Sequence, residues 1–468
     1  MMKKLNVNFC YFVHCLAGRK THYENLKVET ENLFKKLFVN EEDKDTKNIV
    51  ACYCNEANSG FSSNFSLEIM FDNAYNEFIN YFEETFIKDL KKDEDKYNKF
   101  EGVECNIYLT FSGHSIGGNV SRGLINKLYS KFLKDNETFD TYFQYIQKKY
   151  SFISNIIPCS YIAISSPHLG SLVTKNREAN IKFIKRSEKT VVNIFTNTVV
   201  GDVGKELTFQ DEKVKKPKPT STEQEIENME EKISKHVLIN HCSKKAMAAL
   251  AQFPNRTLTA HLRNDVQVKY CSAMGCLESP FPHIIENEKE LLIKDSTNDV
   301  RIVSFSGFGE NEELEYYQKE VFNEKISPAF FYPDTKYEPN IDIDKQIKQA
   351  LENKSQTYQD NKENYEEMED VFVTDNDIQQ DIPVALVKKF NQISYRRVSL
   401  DLLIPFSKRL LTHSLDLGYP TDSFFKPNAY TTKISNKCIS FYSHLIIADF
   451  IKTSGQTDTY SLSSINNQ

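Results

Sequence analysis

Three features that would point to particular classes of protein are missing from this sequence of 468 residues. No apolar run approaches the roughly 20 residues of a membrane-spanning helix, so we expect no such helix. The net charge is only −7 (58 Lys and Arg against 65 Asp and Glu), whereas phosphate binding requires a basic surface, so nucleic acid is not the expected partner. The ten cysteines include no C-x-x-C pair, which gives no support to a zinc or thioredoxin-like site. Such scattered cysteines are typical of free buried thiols in a reducing compartment, and we predict a cytoplasmic protein without a metal or other cofactor.

The N-terminal 18 residues imitate a secretory signal peptide, because the basic start Met1–Lys4 precedes a largely apolar stretch. The polar residues Asn6, Asn8 and His14 interrupt that stretch. We therefore interpret it as a first buried strand.

Glycine is scarce, with 15 residues in the chain, so a glycine cluster indicates a backbone that requires glycine. The cluster lies at 113–118, where the sequence GHSIGG contains a G-x-S-x-G motif. A strand-like run at 105–111 precedes the motif. After the motif, apolar residues recur at every fourth position, as on one face of a helix: Ile116, Val120, Leu124, Leu128 and Phe132. Strand, sharp turn and helix form the context of a nucleophile elbow, which makes Ser115 the predicted nucleophile; the alternative is a tight turn without chemistry.

Short apolar strands alternate with helical stretches along most of the chain. The strand-like runs are 6–13, 48–54, 105–111, 161–165, 257–262 and 398–404. This alternation predicts an α/β fold, with a mostly parallel sheet covered by helices on both faces.

Two charged segments interrupt this pattern. The first, at 212–235, is predicted to be a solvated insertion, with a basic localisation signal at Lys213–Lys218 as the alternative. The second, at 309–382, is long and acidic, and its low apolar content and like-charge repulsion predict disorder or a loose helix. We predict one α/β domain over residues 1–468 that is interrupted by these insertions and completed by residues 383–468.

A nucleophilic serine needs a histidine base and an acid that orients the histidine, and in α/β hydrolases both follow the serine in the order acid, histidine. Asp265 stands just beyond the strand-like run at 257–262, where it is either this acid or part of an Asn-Asp turn. The histidines that follow it are His283, His413 and His444. We favour His444, because the apolar residues after it predict a final helix that would hold the imidazole still. His283 lies in a stiff turn between prolines, and His413 lies in a polar run.

Several further segments are similar to segments of one known family. They are FVHCL at 12–16, FSGHSIGG at 111–118, SPHLGS at 166–171, GKEL at 204–207, FPNR at 253–256, RRVSL at 396–400 and SHLII at 443–447. Together they resemble the lipase-like serine esterases of the α/β-hydrolase superfamily. The resemblance extends over most of the chain outside the charged segments, and it implies the fold and the activity of an ester hydrolase.

The resemblance also implies the composition of a site. The catalytic triad would be Ser115, Asp265 and His444. The oxyanion hole would be formed by the backbone N–H groups of Leu16 and Ile116, which would hold the developing negative charge of a tetrahedral intermediate.

Three other histidines, His14, His114 and His168, are expected near the site as hydrogen-bonding residues behind the reacting groups. Cys15 departs from the family, which has glycine at this position. If that position requires a left-handed backbone, the cysteine would strain the loop that forms the oxyanion hole.

From these observations we predict a serine hydrolase that cleaves carboxylic esters, especially lipid esters, through an acyl-enzyme intermediate. Its partner would be an ester or lipid substrate, with transient contact with a membrane surface, and the sequence implies no particular protein partner. A thioesterase would use the same triad. The alternative from another class is a catalytically weak hydrolase fold that acts as a binding or scaffolding module through its acidic segment.

Overall fold

The fold is described from a computed structural model, which describes residues 3–38, 45–60, 65–97, 102–170, 201–207, 236–265, 267–281, 300–323, 330–331, 341–349, 381–404, 411–418 and 429–463. Among these residues, eight strands form one sheet in the order β2-β1-β3-β6-β7-β10-β8-β9. The strands are β1 Lys4–Val13, β2 Thr46–Cys54, β3 Glu104–His114, β6 Ile153–Ile164, β7 Asn255–His261, β8 Val300–Ser306, β9 Phe330–Phe331 and β10 Arg396–Leu402. Two short strands, β4 Phe132–Lys134 and β5 Glu137–Phe139, form a separate hairpin.

Neighbouring strands run parallel from β2 through β10, and β8 pairs antiparallel with β10. The carboxyl ends of the parallel strands therefore meet at one edge of the sheet, where α/β folds place their active sites. The predicted mostly parallel α/β sheet is confirmed.

The sheet is buried on both faces, as the side-chain alternation of β1 illustrates. Leu5, Val7 and Phe9 belong to one apolar core, whereas Cys10 and Phe12 belong to the other. Successive side chains of a strand point to opposite faces, so a strand covered on both sides has an almost continuous apolar sequence. The sequence 4–13 is therefore a central strand, as its interpretation as a buried strand predicts.

Helices cover both faces of the sheet. On the face of the first core lie α2 Leu67–Tyr81, α3 Lys88–Tyr97, α4 Ile116–Leu128, α5 Tyr142–Lys149, α6 Gly201–Leu207, α7 Val237–Asn240, α8 Lys244–Ala251, α9 Tyr270–Met274 and α11 Asp381–Phe390. On the opposite face lie α1 Glu24–Leu37, α10 Glu312–Glu320, α12 Thr412–Leu415 and α13 Ala429–Thr453. A π-helical segment, Phe82–Ile87, joins α2 to α3, and a short 3-10 helix, Lys20–His22, precedes α1.

The predicted insertion at 212–235 lies outside the described residues, whereas the start of the acidic segment at 309–382 does not. That start contains α10, a packed helix, whose Tyr317 is buried and donates a hydrogen bond to Asp449 of α13 at 2.7 Å. Three of the four glutamates of this helix lie in its first turn, and the fourth, Glu320, is buried at its C-terminal end, while apolar side chains of the helix belong to the second core. Residues 350–380, which carry most of the acidic charge, are outside the described part of the chain.

None of the helices in the described ranges is both long enough and apolar enough to cross a membrane.

Candidate active site

Ser115 forms a sharp turn between β3 and α4. Its φ of 55° and ψ of −131° are strained for a residue with a side chain, and its N–H donates to Ile164 O of the neighbouring strand at 2.8 Å. Its hydroxyl does not cap the helix that it begins. The geometry is therefore that of a nucleophile elbow, in which the serine hydroxyl is left available for chemistry.

The glycines around Ser115 are required by close backbone approach. A Cβ on Gly113 would lie 2.2 Å from Gly117 O, and a Cβ on Gly117 would lie 2.2 Å from Val13 O. A Cβ on Gly118 would lie 2.0 Å from Ser166 Oγ. Side chains at these positions would thus push the elbow away from β1 and from the loop after β6, which explains the glycine cluster in a chain with few glycines.

The elbow lies against the end of β1, where the second predicted oxyanion donor stands. Ile116 is the first residue of α4, so its N–H has no carbonyl partner within the helix. A Cβ on Gly117 would also lie 2.7 Å from His14 O, so the turn that contains Leu16 begins beside the elbow. The predicted donors, Leu16 and Ile116, therefore belong to two segments that meet at this edge.

Cys15 does not have the left-handed backbone that the sequence analysis considered. Within the described residues, the positive φ of this turn falls on Ala17, at 52°, and not on Cys15. The Cys15 side chain thus adds no backbone strain, and burial raises the pKa of its thiol to about 11, so it is a neutral group beside the site.

Asp265 follows β7 and is held in a fixed orientation. Its Oδ1 accepts hydrogen bonds from the N–H groups of Gln267 at 3.0 Å and Val268 at 2.9 Å. Its Oδ2 lies 2.8 Å from Nδ1 of His413. Burial acts to raise the pKa of Asp265, but His413 and these hydrogen bonds outweigh burial, so the pKa is lowered and the carboxylate is charged.

The histidine that meets Asp265 is therefore His413. A carboxylate only accepts, so Nδ1 of His413 donates, and in the neutral ring Nε2 then carries a lone pair. This Nε2 is buried and has no hydrogen-bond partner in the part of the chain that the structure describes. The ring also lies 4.6 Å from that of His114, the residue that precedes Ser115, and His114 Nε2 donates to His413 O at 2.9 Å.

The structure does not bring His444 to Asp265. Instead of entering a final helix from a loop, His444 lies within α13, and its Nδ1 donates to Ser440 O, one turn earlier, at 2.7 Å. The hydrogen bonds that the described residues make to the two oxygens of Asp265 come from Gln267, Val268 and His413, and not from His444. The structure thus pairs Asp265 with His413 and not with His444, which we favoured from the sequence. The rival His283 lies outside the described residues.

The sequence itself indicates why His413, and not His444, lies beside Asp265. α13 extends without glycine or proline from residue 429 to residue 453, so His444 is in its second half and cannot be a loop residue. His413 comes soon after β10, the last predicted strand, where the loop that leaves the carboxyl edge is expected. A short distance from the last strand therefore indicates the histidine that pairs with Asp265 better than an apolar run after the histidine does.

A second buried carboxylate, Asp416, lies beside the candidate site. Its Oδ2 is 3.0 Å from His261 Nε2 and accepts from Ser165 Oγ at 2.8 Å, and its Oδ1 accepts from Tyr442 Oη at 2.9 Å. His114 Nε2 lies 3.8 Å from the same Oδ2. Neither Asp416 nor His261 was predicted from the sequence.

The other predicted histidines hold the loops around the elbow. His14 Nδ1 donates to Cys15 O at 2.9 Å, which fixes the turn after β1. His168 Nδ1 contacts Asn119 Oδ1 of α4 at 3.2 Å, and the Asn119 amide donates to Pro167 O at 3.0 Å, which ties the loop after β6 to the helix of the elbow.

Burial lowers the pKa of His14 and His168, and it lowers that of His114 to about 3, so all three rings are neutral at physiological pH. Among the residues that the structure describes, no group of three or more His, Cys, Asp and Glu side chains is placed to hold a metal ion.

Comparison with known families gives a match over more than half of the chain. Residues 3–278 match the family "Putative serine esterase (DUF676)", a range that includes Ser115 and Asp265 but ends before His413 and His444. No curated protein matches the sequence.

Solved structures of one enzyme are distantly similar. Phospholipase PlaB from Legionella pneumophila is 10% identical over 65% of this chain and 49% of its own, with a TM-score of 0.23. The same phospholipase in complex with thio-NAD is 13% identical over 35% of this chain and 26% of its own, with a TM-score of 0.18. The chain thus spans half or less of the length of these proteins. Because the family match extends over more than half of the sequence, this chain belongs to the putative serine esterase family.

Proposed function

We propose that this protein hydrolyses carboxylic esters with Ser115 as the nucleophile, His413 as the base and Asp265 as the group that orients His413. One observation carries the proposal: His413 donates through Nδ1 to a fixed carboxylate while its Nε2 remains buried and unpartnered. In Ser-His-Asp hydrolases, the acid binds Nδ1 and the serine is deprotonated by Nε2.

In this mechanism, Ser115 Oγ attacks the ester carbonyl carbon while His413 Nε2 accepts the hydroxyl proton. Asp265 stabilises the imidazolium that results, and His413 then gives the proton to the departing alkoxide. A water molecule attacks the acyl-serine, with His413 again accepting a proton, and the carboxylic acid is released.

The negative charge of the tetrahedral intermediate would be held by the backbone N–H groups of Ile116 and Leu16. The first has no carbonyl partner within α4, and the second belongs to the turn that begins against the elbow. Both donors are backbone groups, so they are fixed before substrate arrives and need no reorganisation during the reaction.

The finer part of the proposal is that the natural substrates are lipid esters. Its support is the resemblance of the elbow and of the SPHLGS segment at 166–171 to those of lipase-like esterases. The full chain should then hydrolyse p-nitrophenyl palmitate in mixed micelles with a kcat/KM well above that for p-nitrophenyl butyrate. A preference for the butyrate ester would be compatible with esterase activity but would contradict the proposal that lipid esters are the natural substrates.

Labelling by a fluorophosphonate probe tests the chemistry itself. The wild-type chain should be labelled, and Ser115→Ala should abolish labelling and lower ester hydrolysis at least about 10³-fold. Ser166→Ala is the matched control, because its hydroxyl lies at the same elbow, next to Gly118, and should be dispensable for labelling. Labelling of Ser115→Ala, or none of the folded wild type, would contradict the proposal and favour a binding role.

A further inference from the structure

Arg122 is a buried cation without a counter-ion. It lies on α4, seven residues after Ser115 and thus about 10 Å farther along the helix axis, and only 1% of its surface is exposed. Among the described residues, none of its three guanidinium nitrogens has an oxygen or nitrogen partner, and the side-chain contact that they make is with the thiol of Cys242. An arginine in this state is costly, because burial of a charge is tolerated only when the charge is paired.

Two other buried arginines show what is missing. Arg263 Nε donates to Asp401 at 2.7 Å, and Arg396 Nη1 donates to Asp449 at 2.7 Å. Among the described residues, Arg122 has no carboxylate within the distance of an ion pair. Arg263 and Arg396 are therefore neutralised by carboxylates of the protein itself, whereas the charge of Arg122 would have to be neutralised by a bound anion.

The groups around Arg122 do not supply that charge. Its ionisable neighbours are the thiol of Cys242 and the phenols of Tyr161 and Tyr395. Burial raises the pKa of all three above the ordinary values, so each is neutral at physiological pH. The positive charge of Arg122 is thus uncompensated.

Two further polar atoms of the same cluster also lack partners, and both are buried: Tyr395 Oη and His168 Nε2. Phe390 connects the three side chains, because the Arg122 guanidinium lies 5.3 Å from its ring centroid, the His168 ring stacks on it at 4.7 Å, and the Tyr395 ring stacks on it at 4.5 Å. Arg122, His168 and Tyr395 around Phe390 are called the Arg122 cluster below.

The hydrogen-bonding capacity of the Arg122 cluster indicates the ligand. Arg122 and the Tyr395 hydroxyl can donate, whereas the neutral His168 ring donates through Nδ1 to Asn119 Oδ1 and so has an acceptor at Nε2. A complementary anion has several acceptor oxygens and one O–H group. Hydrogen phosphate and phosphate monoesters meet this description, while a carboxylate or a sulfate has no O–H group to offer to His168.

We propose that the Arg122 cluster binds a phosphate group, either as inorganic phosphate or as the phosphate monoester of a larger ligand. The guanidinium and the Tyr395 hydroxyl donate to phosphate oxygens, and the protonated phosphate oxygen donates to His168. This binding step does not require the chemistry of Ser115, so it stands or falls separately from the proposed esterase activity.

The experiment compares the thermal stability of the full chain in phosphate and in sulfate at equal ionic strength, after prolonged incubation because the site is buried. The variant Ser115→Ala is used throughout, so that no turnover occurs. Phosphate should raise the melting temperature of the parent in a saturable manner, and sulfate should do so much less. Arg122→Met should lose the saturable response, and Tyr395→Phe, which removes only one hydroxyl, should weaken it.

Arg396→Met is the matched control, because it removes a buried guanidinium that already has a carboxylate. It should lower stability in both salts yet keep the phosphate response. An equal response to sulfate, or an undiminished phosphate response in both Arg122→Met and Tyr395→Phe, would overturn the proposal. If Arg122→Met does not fold, the response of Tyr395→Phe alone decides.

The source of the phosphate group is then settled by titration of Ser115→Ala with dihexanoyl phosphatidic acid, a short lipid with a phosphate monoester, below its micellar concentration. At least tenfold tighter binding of this lipid than of inorganic phosphate, lost in Arg122→Met, would assign the site to a lipid headgroup. Equal or weaker binding of the lipid would assign it to free phosphate.

Discussion

Two buried carboxylate–histidine pairs lie side by side in this protein, and they differ in which imidazole nitrogen meets the acid. Asp265 holds His413 through Nδ1 at 2.8 Å, and Asp416 holds His261 through Nε2 at 3.0 Å. The first arrangement leaves Nε2, at the far end of the ring, free to act on a serine, as in known triads. The second leaves Nδ1, which is close to the backbone, and so lacks the orientation of a triad base.

The carboxylates of the two pairs also differ in their surroundings. Asp265 accepts from two backbone N–H groups and one imidazole, whereas Asp416 is surrounded by side chains, among them Ser165 and Tyr442. His114 connects the pairs, because its Nε2 donates to His413 O and lies 3.8 Å from Asp416. We interpret the Asp416 pair as support for the backbone that carries His413. An acid next to a histidine is therefore not enough to identify a base.

The largest difference between the pairs should appear when each histidine is replaced by glutamine. His413→Gln should lower kcat at least about 10³-fold, because the glutamine amide cannot accept the Ser115 proton. His261→Gln should keep most of the activity, since His261 acts only through Asp416. Both effects are measured as kcat for p-nitrophenyl butyrate, with the melting temperature as a control for folding. Equal losses in the two variants would show that the pairs are not functionally distinct.

Replacing the acids should separate orientation from stability. Asp265→Asn should lower kcat by about 10³–10⁴-fold, because the amide no longer favours the Nδ1–H tautomer or the imidazolium of His413. Asp416→Asn should instead destabilise the fold by about 3–5 kcal/mol, because it breaks a buried charge pair. Urea unfolding and steady-state kinetics on both variants test this. A larger loss of kcat in folded Asp416→Asn than in Asp265→Asn would reverse the assignment.

The contrast between the pairs also shows what the sequence could predict. The elbow was predictable because steric demand places glycines at fixed positions around Ser115, and Asp265 was predictable because it directly follows a strand. The pairing of His413 with Asp265 was not predictable, because no local backbone geometry requires a histidine. The choice between His413 and His444 depended on where α13 begins. Asp416 and His261 belong to no recognisable sequence motif. Their buried network depends on tertiary contacts between residues 155 positions apart, which a local pattern cannot show.

Helix α10 shows a related limit of prediction from sequence composition. Its acidic first turn dominates the composition of the segment, while Tyr317 and the sheet behind it decide that the helix packs. Net charge averaged over a window therefore conceals a single apolar face, which is the feature that makes a short helix part of a core.

A smaller effect is expected in the pH dependence of stability. Burial acts to lower the pKa of His261, but Asp416 outweighs it and the pKa is raised; in turn the pKa of Asp416 is lowered to about 2 against the effect of burial. The His261 contribution is thus complete below the unfolded pKa of about 6.5 and is lost as pH rises through the raised value. The Asp416 contribution is lost only as pH falls toward 2. The difference in melting temperature between wild type and His261→Gln should therefore be larger at pH 6 than at pH 9.

The smallest effect should come from His444, the histidine that belongs to neither pair. His444→Gln should change kcat by less than about twofold and cost only about 1 kcal/mol, because the hydrogen bonds of the ring are to Ser440, at its O and its Oγ, and a glutamine amide can partly replace them. The proper comparison is His413→Gln, measured in the same assay, since both are buried histidines in the C-terminal segment. If His444→Gln were inactive while remaining folded and His413→Gln were active, the base would be His444 after all. In that case the Asp265–His413 hydrogen bond would be a structural contact, and the distinction drawn here between the two pairs would fail.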